Sequence, residues 1–149
     1  LLTTYNQQYN SIMAIGSGML TGKGLDNNTI TSVKGGNFIS EPQTDFIFAV
    51  VGEELGFIGS CVVIGLILLI VIECLRIAKD ARDMRGHLVA SGVAGIITFQ
   101  SFVNIGVATG ILPNTGLPLP FVSYGLSSLL SNFICIGLVL NVGLQRNRR

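Results

Sequence analysis

The sequence predicts an all-α polytopic integral membrane protein, and three observations carry that expectation. The chain of 149 residues is 49% hydrophobic and only 11% charged, which leaves too little polar surface to clothe an ordinary soluble domain. From residue 46 onward, three long apolar stretches follow one another, each built on a charge-free run and, with the weaker apolar sequence from Phe46 added to the first, sufficient to cross a hydrocarbon core of about 30 Å at roughly 1.5 Å per residue. The basic residues gather between the first two runs and after the third, as loop charges do on one face of a membrane.

Residues 1–45 are rich in Gly, Asn, Thr and Ser and read as a long extracytoplasmic segment, an ordered loop with turns and room for short helices. The chain begins with Leu1 and shows no basic-then-apolar leader, so it is expected to be the carboxy-terminal part of a longer protein with further helices upstream. The first span, about 46–75, is built on the uninterrupted run Leu55 to Ile72. A cytoplasmic loop, 76–87, carries Arg76, Lys79, Arg82 and Arg85. The second span is 88–112. The proline-rich turn from Pro113 to Pro120 leads to the third, 121–144, and a tail, 145–149, adds Arg146, Arg148 and Arg149. A three-span chain places these two basic regions on one face, and the positive-inside bias makes that face cytoplasmic. Residues 1–45 then face outward, with Lys23 and Lys34 against Asp26, Glu41 and Asp45.

Other classes drop out. The formal net charge of +1 excludes the broad basic field of a nucleic-acid binder. Cys61, Cys74 and Cys135 lie inside apolar stretches and read as packing residues rather than a disulfide framework. His87 has no ligand-type neighbours at metal-binding spacing, and the mixed charges of Lys79 to Arg85 suit a solvated connector near anionic lipid.

Several motifs carry candidate chemistry. Gly16 to Gly24 invites a phosphate-loop reading, but Ser17 and Gly24 break the pattern. The glycines can serve a sharp turn, or Lys23 can hold a lipid phosphate as a point charge. In Glu41-Pro42-Gln43-Thr44-Asp45-Phe46-Ile47-Phe48-Ala49, Thr44 or Asp45 suits a helix cap. Asp45 equally suits a general base, since partial desolvation at a water–lipid boundary raises a carboxylate's proton affinity while substrate hydroxyls still reach it.

In a helix starting near Asp45, Gly52, Gly56 and Gly59 fall within about 40° of one direction, a smooth face for another helix or a lipid-linked substrate. Glu53 lies about 12 Å along that helix and Glu54 points elsewhere. Both read either as functional acids or as partners of an ion pair with another helix. Gln100 with Asn104, and Ser123, Ser127 and Ser131, stand one helical turn apart and suit interhelical hydrogen bonds or a polar path.

Together these runs resemble one family. Ala14-Ile15-Gly16-Ser17-Gly18 with Gly22-Lys23-Gly24, the Glu41 to Ala49 motif, and Gly52-Glu53-Glu54-Leu55-Gly56 are followed by Phe102-Val103-Asn104-Ile105-Gly106, Gly110-Ile111-Leu112-Pro113 and Gly116 to Gly125. The series is similar to the shape, elongation, division and sporulation family, the RodA, FtsW and SpoVE proteins of bacteria. The resemblance implies a multi-pass enzyme of the bacterial cytoplasmic membrane, a peptidoglycan glycosyltransferase that polymerises lipid II at the outer face. It implies Asp45 as the essential acid, acting as general base on the acceptor sugar hydroxyl. Lys23 and Lys34 become candidates to hold the leaving diphosphate, and Glu41, Glu53, Glu54 and Ser123 further substrate-binding candidates. A class B penicillin-binding transpeptidase is the implied partner. Magnesium or another divalent cation has candidate ligands in Glu41 and Asp45, but no spacing defines a site.

Two departures stand out: Ile39-Ser40-Glu41 where the family often has Leu-Pro-Glu, and Leu126 where it often has Gly. These residues do not separate elongation, division and sporulation roles. Two rival functions fit the same motifs, a lipid II flippase or transporter and a non-catalytic scaffold for the transpeptidase.

Overall fold

The structure is a computed structural model that describes residues 2–24 and 46–145. It consists of four helices, α1 (Leu2–Ser17), α2 (Ile47–Lys79), α3 (Met84–Ala108) and α4 (Leu126–Leu144), with no strand among the described residues. The last three are each long and apolar enough to cross a membrane. The all-α expectation with three spans holds, and a short helix does occupy the segment before them.

Helix ends follow backbone chemistry more than hydropathy. Arg76 and Lys79 sit in the last turn of α2, where cations complement the negative end of the helix dipole. Immediately beyond the turn, His87 Nδ1 lies 2.8 Å from the Ala78 carbonyl, which pins the start of α3 to the end of α2. Arg85 and His87, expected in a loop, are therefore helical: a run without charges marks what hydrocarbon tolerates, whereas helical hydrogen bonding continues into water. At its other end α3 stops at Ala108, before the expected 112, because Gly110 turns left-handed (φ 76) and its neighbours Ile111 and Leu112 both donate to the Gly106 carbonyl. The last helix starts at Leu126 rather than 121, since Phe121 holds φ 64 inside a turn closed by Ser123.

α2 and α3 pack through small side chains. Ala78, Ala90 and Ala94 are buried beside Ile67, Val71, Cys74, Val93 and Ile97, and Val139 of α4 joins them. Small residues let helix backbones approach closely, which matters where lipid removes the hydrophobic drive for association. The outward surface is apolar as well: Leu66, Leu69, Phe99, Phe102, Leu130 and Phe133 are all exposed. In water such a surface would drive aggregation; in lipid it faces its proper solvent.

The topology gives the bundle two chemically distinct ends. At one end α1 lies over the start of α2 and the end of α3, with the Ser11 hydroxyl donating to the Ala108 carbonyl at 2.7 Å and the Gln8 amide donating to the Leu112 carbonyl at 2.8 Å. At the other end the α2–α3 turn meets the last turn of α4, so Arg82 and Arg85 share a cavity wall with Asn141 and Gln145. Arg146, Arg148 and Arg149 lie outside the described residues.

Candidate functional site at a broken helix

After α1 the chain makes a glycine strap, residues 18–24, in which Met19 (φ 49), Gly22 (φ 77) and Gly24 (φ 92) are left-handed. The strap lies against α2 at contact distance. A Cβ on Gly18 would stand 1.9 Å from the Gly52 carbonyl oxygen, and one on Gly22 would stand 2.2 Å from that of Glu54. No side chain fits at either place.

The reason for so close an approach is a break in α2. Gly56, with φ 68 and ψ −164, leaves the helical conformation and interrupts the ladder. Backbone groups released in an apolar setting must find other partners. Here the strap supplies them: Phe57 N–H donates to the Met19 carbonyl (3.0 Å) and Ile58 N–H to that of Leu20 (3.3 Å), while Lys23 N–H donates to the Glu53 carbonyl (2.9 Å) and Gly24 N–H to that of Glu54 (3.1 Å).

The smooth-face reading of the glycines holds at Gly52, where α1 makes its close approach, and fails beyond it. Gly52 packs on Ile15 of α1, Gly56 makes the break, and a Cβ on Gly59 would run into Leu55 across it. The break also changes the depth of the acids. Phe57–Lys79 alone extends roughly 35 Å, enough to cross the hydrocarbon core, so Glu53 and Glu54 precede the segment needed to span.

Lys23 Nζ lies 2.9 Å from Glu53 Oε1; the Glu53 side chain is 4% exposed and that of Lys23 29%. The carboxylate that the sequence left with either a functional role or a partner on another helix thus has a partner on the strap. Glu54, beside it, is half-buried and accepts the strap through its backbone.

Ser123 is buried in the connection between α3 and α4, where its hydroxyl accepts from Leu119 N–H at 2.8 Å. Asn104 braces the same connection, donating from Nδ2 to the Leu117 carbonyl at 2.7 Å. Ser127 and Ser131 are exposed, and the Ser131 hydroxyl bonds back to the Ser127 carbonyl on its own helix, not across to a neighbour. Cys61, Cys74 and Cys135 are free thiols.

Asp45, Glu41 and Lys34 lie outside the described residues, and the expectation that Glu41 and Asp45 could recruit a divalent cation falls there too. Among the described residues no cluster of His, Cys, Asp or Glu is fit to hold a metal ion. Phe46, the residue after Asp45, is 1% exposed and its carbonyl accepts from Ala49 N–H at 2.9 Å, so the first turn of α2 is firmly seated there. What the structure assembles is a partly exposed ammonium at the end of a membrane bundle, held by a buried carboxylate and a glycine strap. The pair is neutral as a whole, so what it can offer an anion at the water–lipid boundary is the N–H donors of the ammonium.

Comparison with known proteins adds a second line of evidence. The chain is 43% identical over 132 residues, 89% of its length, to a protein of Geobacter metallireducens named probable peptidoglycan glycosyltransferase FtsW, of which this covers 34%. It is 44% identical over 132 residues, again 89% of its length, to stage V sporulation protein E of Bacillus subtilis, covering 35% of that protein. The chain thus spans about a third of the length of the curated relatives it matches. A solved structure described as "Structural coordination of polymerization and crosslinking by a peptidoglycan synthase complex" superposes with a TM-score of 0.71 at 33% identity, over 95% of this chain and 38% of that one. The family of FtsW, RodA and SpoVE cell cycle proteins matches residues 3–148, and it is to this family of membrane proteins that the chain belongs.

Proposed function

We propose that the protein is a peptidoglycan glycosyltransferase that polymerises lipid II at the outer face of the bacterial cytoplasmic membrane. The observation that carries this reading is the family membership over residues 3–148, together with relatives named as glycosyltransferases of this kind. Asp45 acts as general base: it takes the proton from the acceptor sugar hydroxyl as that oxygen attacks the anomeric carbon of the lipid-linked donor. The C–O bond to undecaprenyl diphosphate breaks with inversion, and the diphosphate leaves as an anion. Lys34 neutralises that anion, and Lys23, its charge already balanced by Glu53, donates hydrogen bonds to it. Glu41 and Glu54 contribute to the substrate region, Glu53 holds Lys23 in place, and Ser123 braces the connection between α3 and α4 through the Leu119 N–H. A class B penicillin-binding transpeptidase is the partner that cross-links the product. The Lys23–Glu53 pair supports the leaving-group role, because it fixes an ammonium on the same end of the bundle as Phe46, next in sequence to Asp45.

The test is lipid II polymerisation by the full-length protein with its transpeptidase, comparing wild type with Asp45→Asn, which keeps the shape and removes the base. Loss of glycan product, by on the order of a hundredfold or more, with folding and partner binding intact is the expected result. Undiminished product would remove Asp45 from the reaction. Absence of product from wild type, where a known polymerase works, would favour a lipid II transporter or a scaffold.

A further inference from the structure

At the end of the bundle opposite the strap, the α2–α3 turn and the last turns of α4 border an open cavity of about 300 Å3. Its lining carries both chemistries. Arg82 and Arg85 come from the turn and the start of α3, with Asp83 between them in sequence; Val89 of α3 and Leu138 and Val142 of α4 are apolar, and Asn141 and Gln145 at the end of α4 are polar. The two helices meet closely there, since a Cβ on Gly86 would stand 2.9 Å from Val142 Cγ1. Cations outnumber the single acid in this lining.

A small soluble anion would use the arginines and gain nothing from Val89, Leu138 and Val142. A neutral acyl chain would use the apolar residues and leave two guanidinium groups idle. A molecule carrying both a phosphate and an acyl chain satisfies both. We propose that this cavity is a binding site for one anionic phospholipid, with its phosphate between Arg82 and Arg85 and an acyl chain along Val89, Leu138 and Val142. The guanidinium fork suits phosphate oxygens, and basic pockets between membrane helices are where acidic lipid headgroups are held. The site is remote from the strap and does not depend on the glycosyltransferase reading.

The experiment uses the full-length protein, released from nanodiscs of phosphatidylglycerol mixed with phosphatidylcholine and weighed by native mass spectrometry. Wild type retains one phosphatidylglycerol in preference to phosphatidylcholine. Arg82→Gln and Arg85→Gln each weaken that retention roughly fivefold, one surface cation's worth. Arg76→Gln, whose guanidinium pairs with Glu73 outside the cavity, leaves it unchanged. Equal retention by wild type and the Arg82→Gln/Arg85→Gln variant overturns the proposal, as does an equal loss in Arg76→Gln. Displacement of the lipid by soluble glycerol phosphate at matched concentration would instead make this a free-phosphate site and overturns it too. Unfolding temperatures in pure phosphatidylcholine, expected to be equal for all variants, separate lost binding from lost folding.

Discussion

Lys23 holds Glu53 twice, through the 2.9 Å ion pair between side chains and through its own N–H bonded to the Glu53 carbonyl at 2.9 Å. The two residues are thirty apart in sequence, so the pair closes a loop containing Glu41 and Asp45. Removing only the ammonium leaves a carboxylate buried to 4% exposure without its cation, and that costs more than losing the pair altogether. Lys23→Met is expected to destabilise the protein by on the order of 2–4 kcal/mol, less than for a fully buried pair because Lys23 is partly exposed. Lys23→Met/Glu53→Gln should lose less than the sum of the single variants. Thermal unfolding of all four proteins in one lipid checks this, and strict additivity would mean the contact contributes nothing.

Gly56 occupies a region of φ and ψ that is essentially closed to side chains, and a Cβ there would also stand 2.3 Å from the Gly22 nitrogen. Gly56→Ala is expected to cost about 3 kcal/mol, from strain and from loss of strap hydrogen bonds. Gly65 lies on the same helix with nothing within 4 Å of its added Cβ, so Gly65→Ala should be neutral or gain up to about 1 kcal/mol. Hydrogen exchange adds a local readout: in Gly56→Ala the amides of Lys23, Gly24, Phe57 and Ile58 lose protection first. Equal behaviour of the two alanine variants would mean that the break is not required.

The contrast between these two glycines explains what was legible in the sequence. The run from Leu55 to Ile72 announced a span because lipid imposes a local rule, apolar residue after apolar residue. Gly56 and Gly65 look alike under that rule. The break at Gly56 depends on partners in the strap more than thirty residues away, and backbone pairing leaves no mark in hydropathy. The usable signal was local to the strap, where Gly18, Gly22 and Gly24 are too closely set for an ordinary loop and lie beside Lys23. Ser123 misled for the opposite reason: its spacing with Ser127 and Ser131 is helical in sequence, but Phe121 and the prolines before it keep that stretch out of the helix.

Ser123 also separates a structural from a functional role. Its hydroxyl is the acceptor for the buried Leu119 N–H, and Ser123→Ala leaves that donor without it. A loss of about 1–3 kcal/mol is expected, read as a lower unfolding temperature, with the KM for lipid II unchanged. A raised KM at unchanged stability would put the hydroxyl on the substrate instead.

Sidedness decides whether Lys23 can meet an outer-leaflet substrate at all. The strap and the α2–α3 turn lie at opposite ends of α2, and the positive-inside bias of the arginines at the turn end carries the expectation that this end is cytoplasmic. In a background where Cys61, Cys74 and Cys135 are replaced, Thr21→Cys, exposed on the strap, is expected to react with a membrane-impermeant thiol reagent added to intact cells. Asp83→Cys, exposed in the turn, should react only after the membrane is opened. The reverse pattern would place Lys23 and Glu53 on the cytoplasmic side. Polymer would then have to form where the proposed reaction does not occur, and the mechanism built on Asp45 would fail with it.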